Sequence, residues 1–258
     1  MHSVVDPIEL KHRPDQSLAS VDVDALYPNM SPNVFTALTD AIGTYERPTV
    51  LETGIGISTY HLCKQLRTGG GSYLGIEHNR GWFEIVEAWI YRLLAKQAKH
   101  VPVEQSRLIG ALQSDYYPKP LLCVNSIFRA GPLTVTLLLR QASGQTGDGT
   151  AEEFHEYLAA IAGPVDVAVV DGRARVPTLE CLTERAIIKP GGLLFIHDAK
   201  TYRDIAQELF PGGNFLDGRG GLKNALRPDK AAREFVVQEA YFWRAAGCAA
   251  GGDGGSRA

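Results

Sequence analysis

A chain of 258 residues is long enough for one sizeable α/β domain and too short for a second full one, and its 45% hydrophobic content is ordinary for a soluble protein. A formal charge of -3 supplies no broad field for nucleic acid or an anionic membrane surface, although Arg203, Arg219, Lys223, Arg227 and Lys230 leave room for local basic patches. Cys63, Cys123, Cys181 and Cys248 make no close pair, so a zinc knuckle and a disulfide framework are both disfavoured and structural thiols are expected.

The N-terminal stretch carries Asp6, Glu9, Asp15, Asp22 and Asp24 in place of a basic region followed by an apolar run, and no later segment is long enough to span a bilayer. A cytoplasmic protein without a membrane partner is expected. Residues 1–47 read as an N-terminal arm, interrupted by Pro7, Pro14 and Pro28, and a helical preface over 33–45. The main domain is expected over 48–244. It begins with a strand at 49–53, a helix at 58–66, a strand at 72–77 and a helix at 82–96, where Phe83, Val86, Ile90, Leu93 and Leu94 recur at helical spacing. Trp82, Trp89 and Tyr91 read as packing residues of that helix.

Between 98 and 132 the pattern breaks into short apolar pieces among Pro102, Pro118 and Pro120, which reads as an insertion or cap beside the sheet. Alternation resumes with a strand at 133–139, a Gly-rich loop at 144–149, a helix at 151–161, a strand at 165–170, a helix at 179–188 and a strand at 192–196. Strands alternating with helices imply a parallel sheet with right-handed crossovers, and ligands of such sheets sit beyond the carboxyl ends of the strands. A helix at 202–209, a glycine-rich substrate-side loop at 212–222, a terminal strand at 234–242 and a flexible tail at 245–258 complete the expected order.

The stretch Val50-Leu51-Glu52-Thr53-Gly54-Ile55-Gly56-Ile57-Ser58-Thr59 is a short apolar strand that breaks into glycines and then a helix. Small residues there let backbone amides approach a ligand while the helix offers its N-terminus. A dinucleotide fingerprint would place a third glycine where Thr59 stands, which disfavours a pyrophosphate and an NAD-dependent oxidoreductase. Glu52 would repel a pyrophosphate but attract a ligand ammonium, and Glu77, at the tip of the second strand, suits the two hydroxyls of a ribose. Together they describe a ribonucleoside with a cationic far end, a description S-adenosylmethionine meets.

These elements resemble the class I S-adenosylmethionine-dependent methyltransferases, small-molecule O-methyltransferases among them. The matching pieces are Val50 to Gly56, Tyr73-Leu74-Gly75-Ile76-Glu77, Val167-Ala168-Val169-Val170-Asp171-Gly172 and Lys189-Pro190-Gly191-Gly192-Leu193-Leu194-Phe195-Ile196-His197-Asp198. The resemblance implies a Rossmann-like fold with a mostly parallel seven-stranded sheet. It also implies that Glu52, Gly54 and Gly56 surround the methionyl part of the cofactor, with Ser58 or Thr59 at the helix start. Glu77 would hold the ribose, His78 and the Gln141-Ala142 turn would border the adenine, and Asp171 would lie between methyl donor and acceptor.

Asp171 and Asp198 both follow hydrophobic strands and can reach one crevice, where two carboxylates call for a proton, a cation or a metal. A divalent ion such as Mg²⁺ held by Asp171 and Asp198 is one expectation. His197 stands where catechol-type relatives have an acidic residue; it is a candidate general base or an orienting group for Asp198. Arg173, Arg175, Tyr202 and Arg203 are candidate contacts to the acceptor, the arginines suiting a carboxylate or phosphate. The reading is methyl transfer from S-adenosylmethionine to a hydroxyl of a small molecule, with no nucleic-acid partner and a homodimer allowed. N-methyl transfer, another reaction of the same cofactor and a noncatalytic nucleoside-binding module stay open beside it.

Overall fold

The computed structural model describes residues 19–26, 28–96, 102–112, 120–144, 148–218 and 238–247. After a 3-10 turn at Val23–Ala25, helix α1 (Pro32–Gly43) starts on Pro32, whose fixed φ suits a first helical turn, and buries Val34, Phe35, Leu38 and Ile42. Strand β1 (Thr49–Thr53) leads into α2 (Ile57–Gly69), and β2 (Gly71–Glu77) into α3 (Arg80–Ala95). Asn79 caps α3 by accepting a hydrogen bond from the Trp82 amide at 3.0 Å. Trp89 of this helix is fully buried, whereas Tyr91, expected to pack, turns outward.

The stretch expected as a cap is instead an antiparallel hairpin in the plane of the sheet, β3 (Val103–Leu112) and β4 (Leu121–Ala130), joined to β5 (Leu133–Arg140). Its prolines misled the eye for a physical reason: Pro102 and Pro120 stand just outside the two strands, where a missing amide breaks no ladder. Val124, Ser126 and Phe128 alternate inward along β4, and Gly131, at φ 57°, turns the chain into β5.

Helix α4 (His155–Ala159), β6 (Val165–Val170), α5 (Arg175–Glu184) and β7 (Ile188–Ile196) follow, then a 3-10 turn at Ala199–Tyr202, α6 (Arg203–Leu209), β8 (Asn214–Gly218) and β9 (Gln238–Arg244). The sheet order is β3-β4-β5-β2-β1-β6-β7-β9-β8. Among the described residues nine strands replace the seven expected, because the β3–β4 hairpin widens one edge. The five strands from β5 to β7 are parallel, and every pairing outside them is antiparallel.

Other boundaries shift from expectation. Helix α4 is shorter, α5 begins and ends four residues early, and β7 starts at Ile188, with a register shift against β6 between Val165 and Val167. Part of the expected 212–222 loop is strand β8; residues 219–222, the basic residues Arg219, Lys223, Arg227 and Lys230, and the start of the expected last strand lie outside the described residues. Ala245, expected to open the tail, bonds both ways to β7, through Gly192 O at 2.9 Å and the Gly191 amide at 3.1 Å.

Side chains alternate across the sheet and build two cores. Val50, Tyr73, Val135, Val167 and Phe195 pack with α1, α2 and α3; Leu51, Ile76, Ala168, Val170 and Ile196 pack with α4, α5 and α6. Both faces are lined mainly by apolar side chains, and the buried Glu52, Glu77 and His197 stand at or next to the ends of β1, β2 and β7. No helix among the described residues is long and apolar enough to cross a membrane.

Candidate functional site

At the exit of β1 the chain turns through Gly54, whose φ of 81° favours glycine, and Gly172 at the exit of β6 has φ 75°. A Cβ on Gly54 would come within 2.6 Å of the Gly172 Cα, and one on Gly172 within 2.7 Å of the Gly54 Cα. The two loop backbones therefore touch with no side chain between them. Gly56, two residues on, is the N-cap of α2 and has open space where its side chain would stand. That opening and the amides of the first helical turn form a cradle that can take a ligand.

Glu52 is fully buried on the α2 side of β1. Its Oε1 accepts from Ser58 Oγ at 2.6 Å, and its Oε2 accepts from Thr59 Oγ1 at 2.8 Å and from the Tyr73 hydroxyl. Thr59 Oγ1 also accepts from the Gly56 amide at 2.9 Å, which links the carboxylate to the turn. Burial pushes the Glu52 pKa up to about 7, only partly offset by the Ser58, Tyr73 and Thr59 hydrogen bonds. The expectation gave Glu52 to a ligand ammonium; here its oxygens go to three hydroxyls, and it ties strand to helix. Ser58 and Thr59 are themselves buried and serve that tie.

Glu77 ends β2 buried, with Oε1 accepting from the amides of His78 at 2.9 Å and Asn79 at 2.7 Å, while Oε2 takes no hydrogen bond from these two amides. His78 Nδ1 lies 3.0 Å from the same Oε1 without hydrogen-bond geometry, and its ring leans on Phe154 at 5.2 Å. From α4 the buried Tyr157 hydroxyl comes close enough to Thr53 and Gly54 to interact with both, yet among the described residues neither it nor the Thr53 hydroxyl has a partner in full hydrogen-bond geometry. Buried polar atoms without partners are costly unless something else satisfies them. Ala142 packs with the core around Phe154 and Tyr157, but Gln141 turns to β4, its Oε1 accepting from the Leu122 amide at 2.8 Å.

The exits of β6 and β7 hold a cluster of opposite charges. Asp171 Oδ1 accepts from the Gly172 amide at 2.7 Å and from Arg175 Nη2 at 2.6 Å; its Oδ2 lies 3.2 Å from His197 Nδ1. Burial alone would raise the Asp171 carboxyl, but His197 and Arg175 outweigh it and hold it well below the usual carboxylate range. Burial works against charge on His197 as well; Asp171 outweighs it and pushes the ring up to about 9. A buried imidazole that keeps its proton at neutral pH is a poor general base, which departs from the expectation for His197. Asp198 has its side chain 41% exposed and is held at φ 54° at the mouth of the cluster.

Arg175, expected to face an acceptor, turns inward instead: its Nη1 donates to the Tyr202 hydroxyl at 3.3 Å and Nη2 lies 3.6 Å from Asp198 Oδ2. Its backbone amide donates to Asp148 Oδ2 at 3.0 Å, and Asp148 O accepts from the Ala174 amide, so a residue of the 144–149 loop caps α5. Asp148 escaped sequence reasoning; Asp-Gly before an apolar helix was its only signal. Arg173 is exposed, and the Arg203 guanidinium lies over Phe215 of β8 at 4.3 Å.

The divalent-ion expectation does not fit these residues. The oxygens of Asp171 and Asp198 face a guanidinium and an imidazolium, and among the described residues no group of three or more His, Cys, Asp or Glu side chains is arranged to hold an ion. The cradle at Gly54–Gly56, the second oxygen of Glu77 and the unpartnered hydroxyls beside Gly54 do fit an adenosyl ligand.

The chain is also similar to known proteins. The solved structures it resembles include an O-methyltransferase from Bacillus cereus in complex with S-adenosylhomocysteine, at 13% identity over 94% of this chain and 93% of that one, with a TM-score of 0.49. Others are the O-methyltransferase TomG from Streptomyces achromogenes, at 13% identity over 93% and 91% with a TM-score of 0.45, and a precorrin-6y C5,15-methyltransferase from Geobacter metallireducens, at 9% over 86% and 93% with a TM-score of 0.48. At those identities they say nothing of the acceptor. A search of curated proteins finds no match. A family model described as a methyltransferase domain matches residues 51–199, more than half of the chain and the whole run from β1 to the His197-Asp198 exit. With its α/β Rossmann-like fold of the class I, S-adenosylmethionine-dependent type, the chain belongs to this methyltransferase-domain family.

Proposed function

We propose that the protein transfers a methyl group from S-adenosylmethionine to a hydroxyl of a small molecule. The observation that carries this reading is the contact of the Gly54 and Gly172 backbones, which sets the cofactor turn against the charge cluster of β6 and β7. A donor cradled at Gly54–Gly56 would lie beside Asp171, with the acceptor entering past Asp198.

When bound, the cofactor would supply a methyl carbon made electrophilic by its sulfonium, for transfer to the acceptor oxygen with S-adenosylhomocysteine as the leaving group. Glu77 would hold the ribose, and the Gly56 turn, braced through Thr59 and Glu52, would hold the methionyl part. Asp171 fixes the acceptor's approach as a carboxylate that its two cations keep ionised at neutral pH. Asp198, the exposed carboxylate of the pair, accepts the hydroxyl proton. Alignment supplies most of the acceleration, because the sulfonium loses charge in the transition state and an anionic surround would not favour that loss.

Calorimetry with S-adenosylmethionine, S-adenosylhomocysteine and NAD tests the cofactor: binding of the first two and not the third is expected. A panel of phenols, aliphatic alcohols and amines, read by S-adenosylhomocysteine release and product mass, tests the acceptor. Turnover confined to amines would overturn the hydroxyl reading.

A further inference from the structure

Asp171 and Asp198 form half of a closed ring of alternating charge. Arg175 Nη2 lies 2.6 Å from Asp171 Oδ1 and 3.6 Å from Asp198 Oδ2; His197 Nδ1 lies 3.2 Å from Asp171 Oδ2, and Nε2 3.8 Å from Asp198 Oδ1. Each carboxylate thus shows one oxygen to the guanidinium and the other to the imidazole. The position between the two carboxylates, where an ion would have to sit, is filled by side chains of the chain itself. Both are anchored: the Arg175 side chain is 11% exposed and donates to the Tyr202 hydroxyl, its backbone amide donates to Asp148, and the His197 side chain is 3% exposed.

We propose that Arg175 is the resident cation of this site, serving Asp171 and Asp198 as a divalent ion otherwise would, and that the enzyme works without a metal. The proposal rests on the methyl-transfer reading for its second half only. A guanidinium offers a rigid planar fork with fixed directions, whereas an ion would recruit further oxygens from solvent or substrate. An acceptor for this site therefore need not bring two neighbouring oxygens to chelate anything; a single hydroxyl suffices. In this arrangement Arg175 is a positioning residue, acting on the acceptor through Asp171 and Asp198.

Mn²⁺, followed by electron paramagnetic resonance on the full chain, tests this without acceptor or turnover. Wild type is expected to show no saturable Mn²⁺ binding. Arg175→Met, which empties the centre of the ring, should gain roughly tenfold or more in Mn²⁺ affinity, and the gain should vanish when Asp198→Asn is added. Arg175→Lys, which keeps the positive charge, should behave as wild type. A cooperative thermal melt and S-adenosylhomocysteine binding verify each variant. Saturable Mn²⁺ binding by wild type, or no gain in a folded Arg175→Met, would overturn the proposal. Should the Met variant not fold, wild type and Arg175→Lys decide it, since Mn²⁺ binding by either one overturns it and binding by neither supports it. In the wild-type enzyme, chelation that abolishes turnover, restored by Mg²⁺, would overturn the metal-free half. Failure of S-adenosylhomocysteine to bind the folded wild type would instead sink the methyl-transfer reading and leave the Mn²⁺ result standing.

Discussion

Two carboxylates end neighbouring parallel strands of one sheet, and their surroundings send them in opposite directions. Glu52, at the tip of β1, meets only hydroxyls, so burial dominates and its pKa climbs to about 7. Asp171, at the exit of β6, meets a guanidinium and an imidazolium, which overcome burial and keep it ionised. Hydroxyls satisfy a carboxylate's lone pairs without compensating its charge, whereas cations do both. The Glu52 side is suited to holding a shape, and the Asp171 side to holding a charge.

The largest expected effect comes from breaking the charged side. Asp171→Asn should lower turnover by roughly 100- to 1000-fold while leaving S-adenosylhomocysteine affinity within a few-fold, measured by kinetics beside calorimetry. A loss of cofactor affinity equal to the loss of turnover would make Asp171 a binding residue instead. Next is the seam between the sides: Gly54→Ala should destabilise the fold by about 2–4 kcal/mol and weaken cofactor binding, because a Cβ there meets the Gly172 backbone in a left-handed conformation.

The pH dependence of stability sharpens the contrast further. For Glu52 the folded state keeps a proton that the unfolded chain gives up, so stability falls as pH rises from about 4.5 to about 7. For His197 the contribution is fully present below about 6.5 and is lost as pH rises through about 9. Asp171 works with the other sign, its contribution being lost only as pH falls below its ordinary value of 3.8. Thermal melts of Glu52→Gln should therefore lose the fall below pH 7 and retain the one above; His197→Gln should do the reverse. The smallest effect is expected from Arg203→Ala, within about 0.5 kcal/mol of wild type and neutral for S-adenosylhomocysteine binding, since its guanidinium is committed to Phe215.

The parallel heart of the fold was legible because its strands are short apolar runs ending in glycine or an acid, and because α2 and α3 repeat apolar residues at helical spacing. The β3–β4 hairpin was not, since Glu104, Gln105, Ser106 and Arg107 give an edge strand no apolar rhythm, and prolines that punctuate strands look like prolines that break them. At the site, the positions of Glu52, Glu77, Asp171, His197 and Asp198 at strand exits could be read from order alone. Their partners could not. Arg175 turns inward because Asp148, distant in sequence, starts α5 early, and nothing in the spacing of Arg173 and Arg175 distinguishes the one that stays outside.

The meeting of Gly54 and Gly172 has a consequence for redesign. Two loops in van der Waals register, main chain on main chain, leave no side chain to trim or enlarge, so under the proposed function the spacing of β1 and β6 themselves would set the distance from donor to acceptor. Acceptor preference would then be altered at exposed positions outside the charge ring, such as Arg173. The transfer distance, by contrast, is a property of the sheet and is inherited with it.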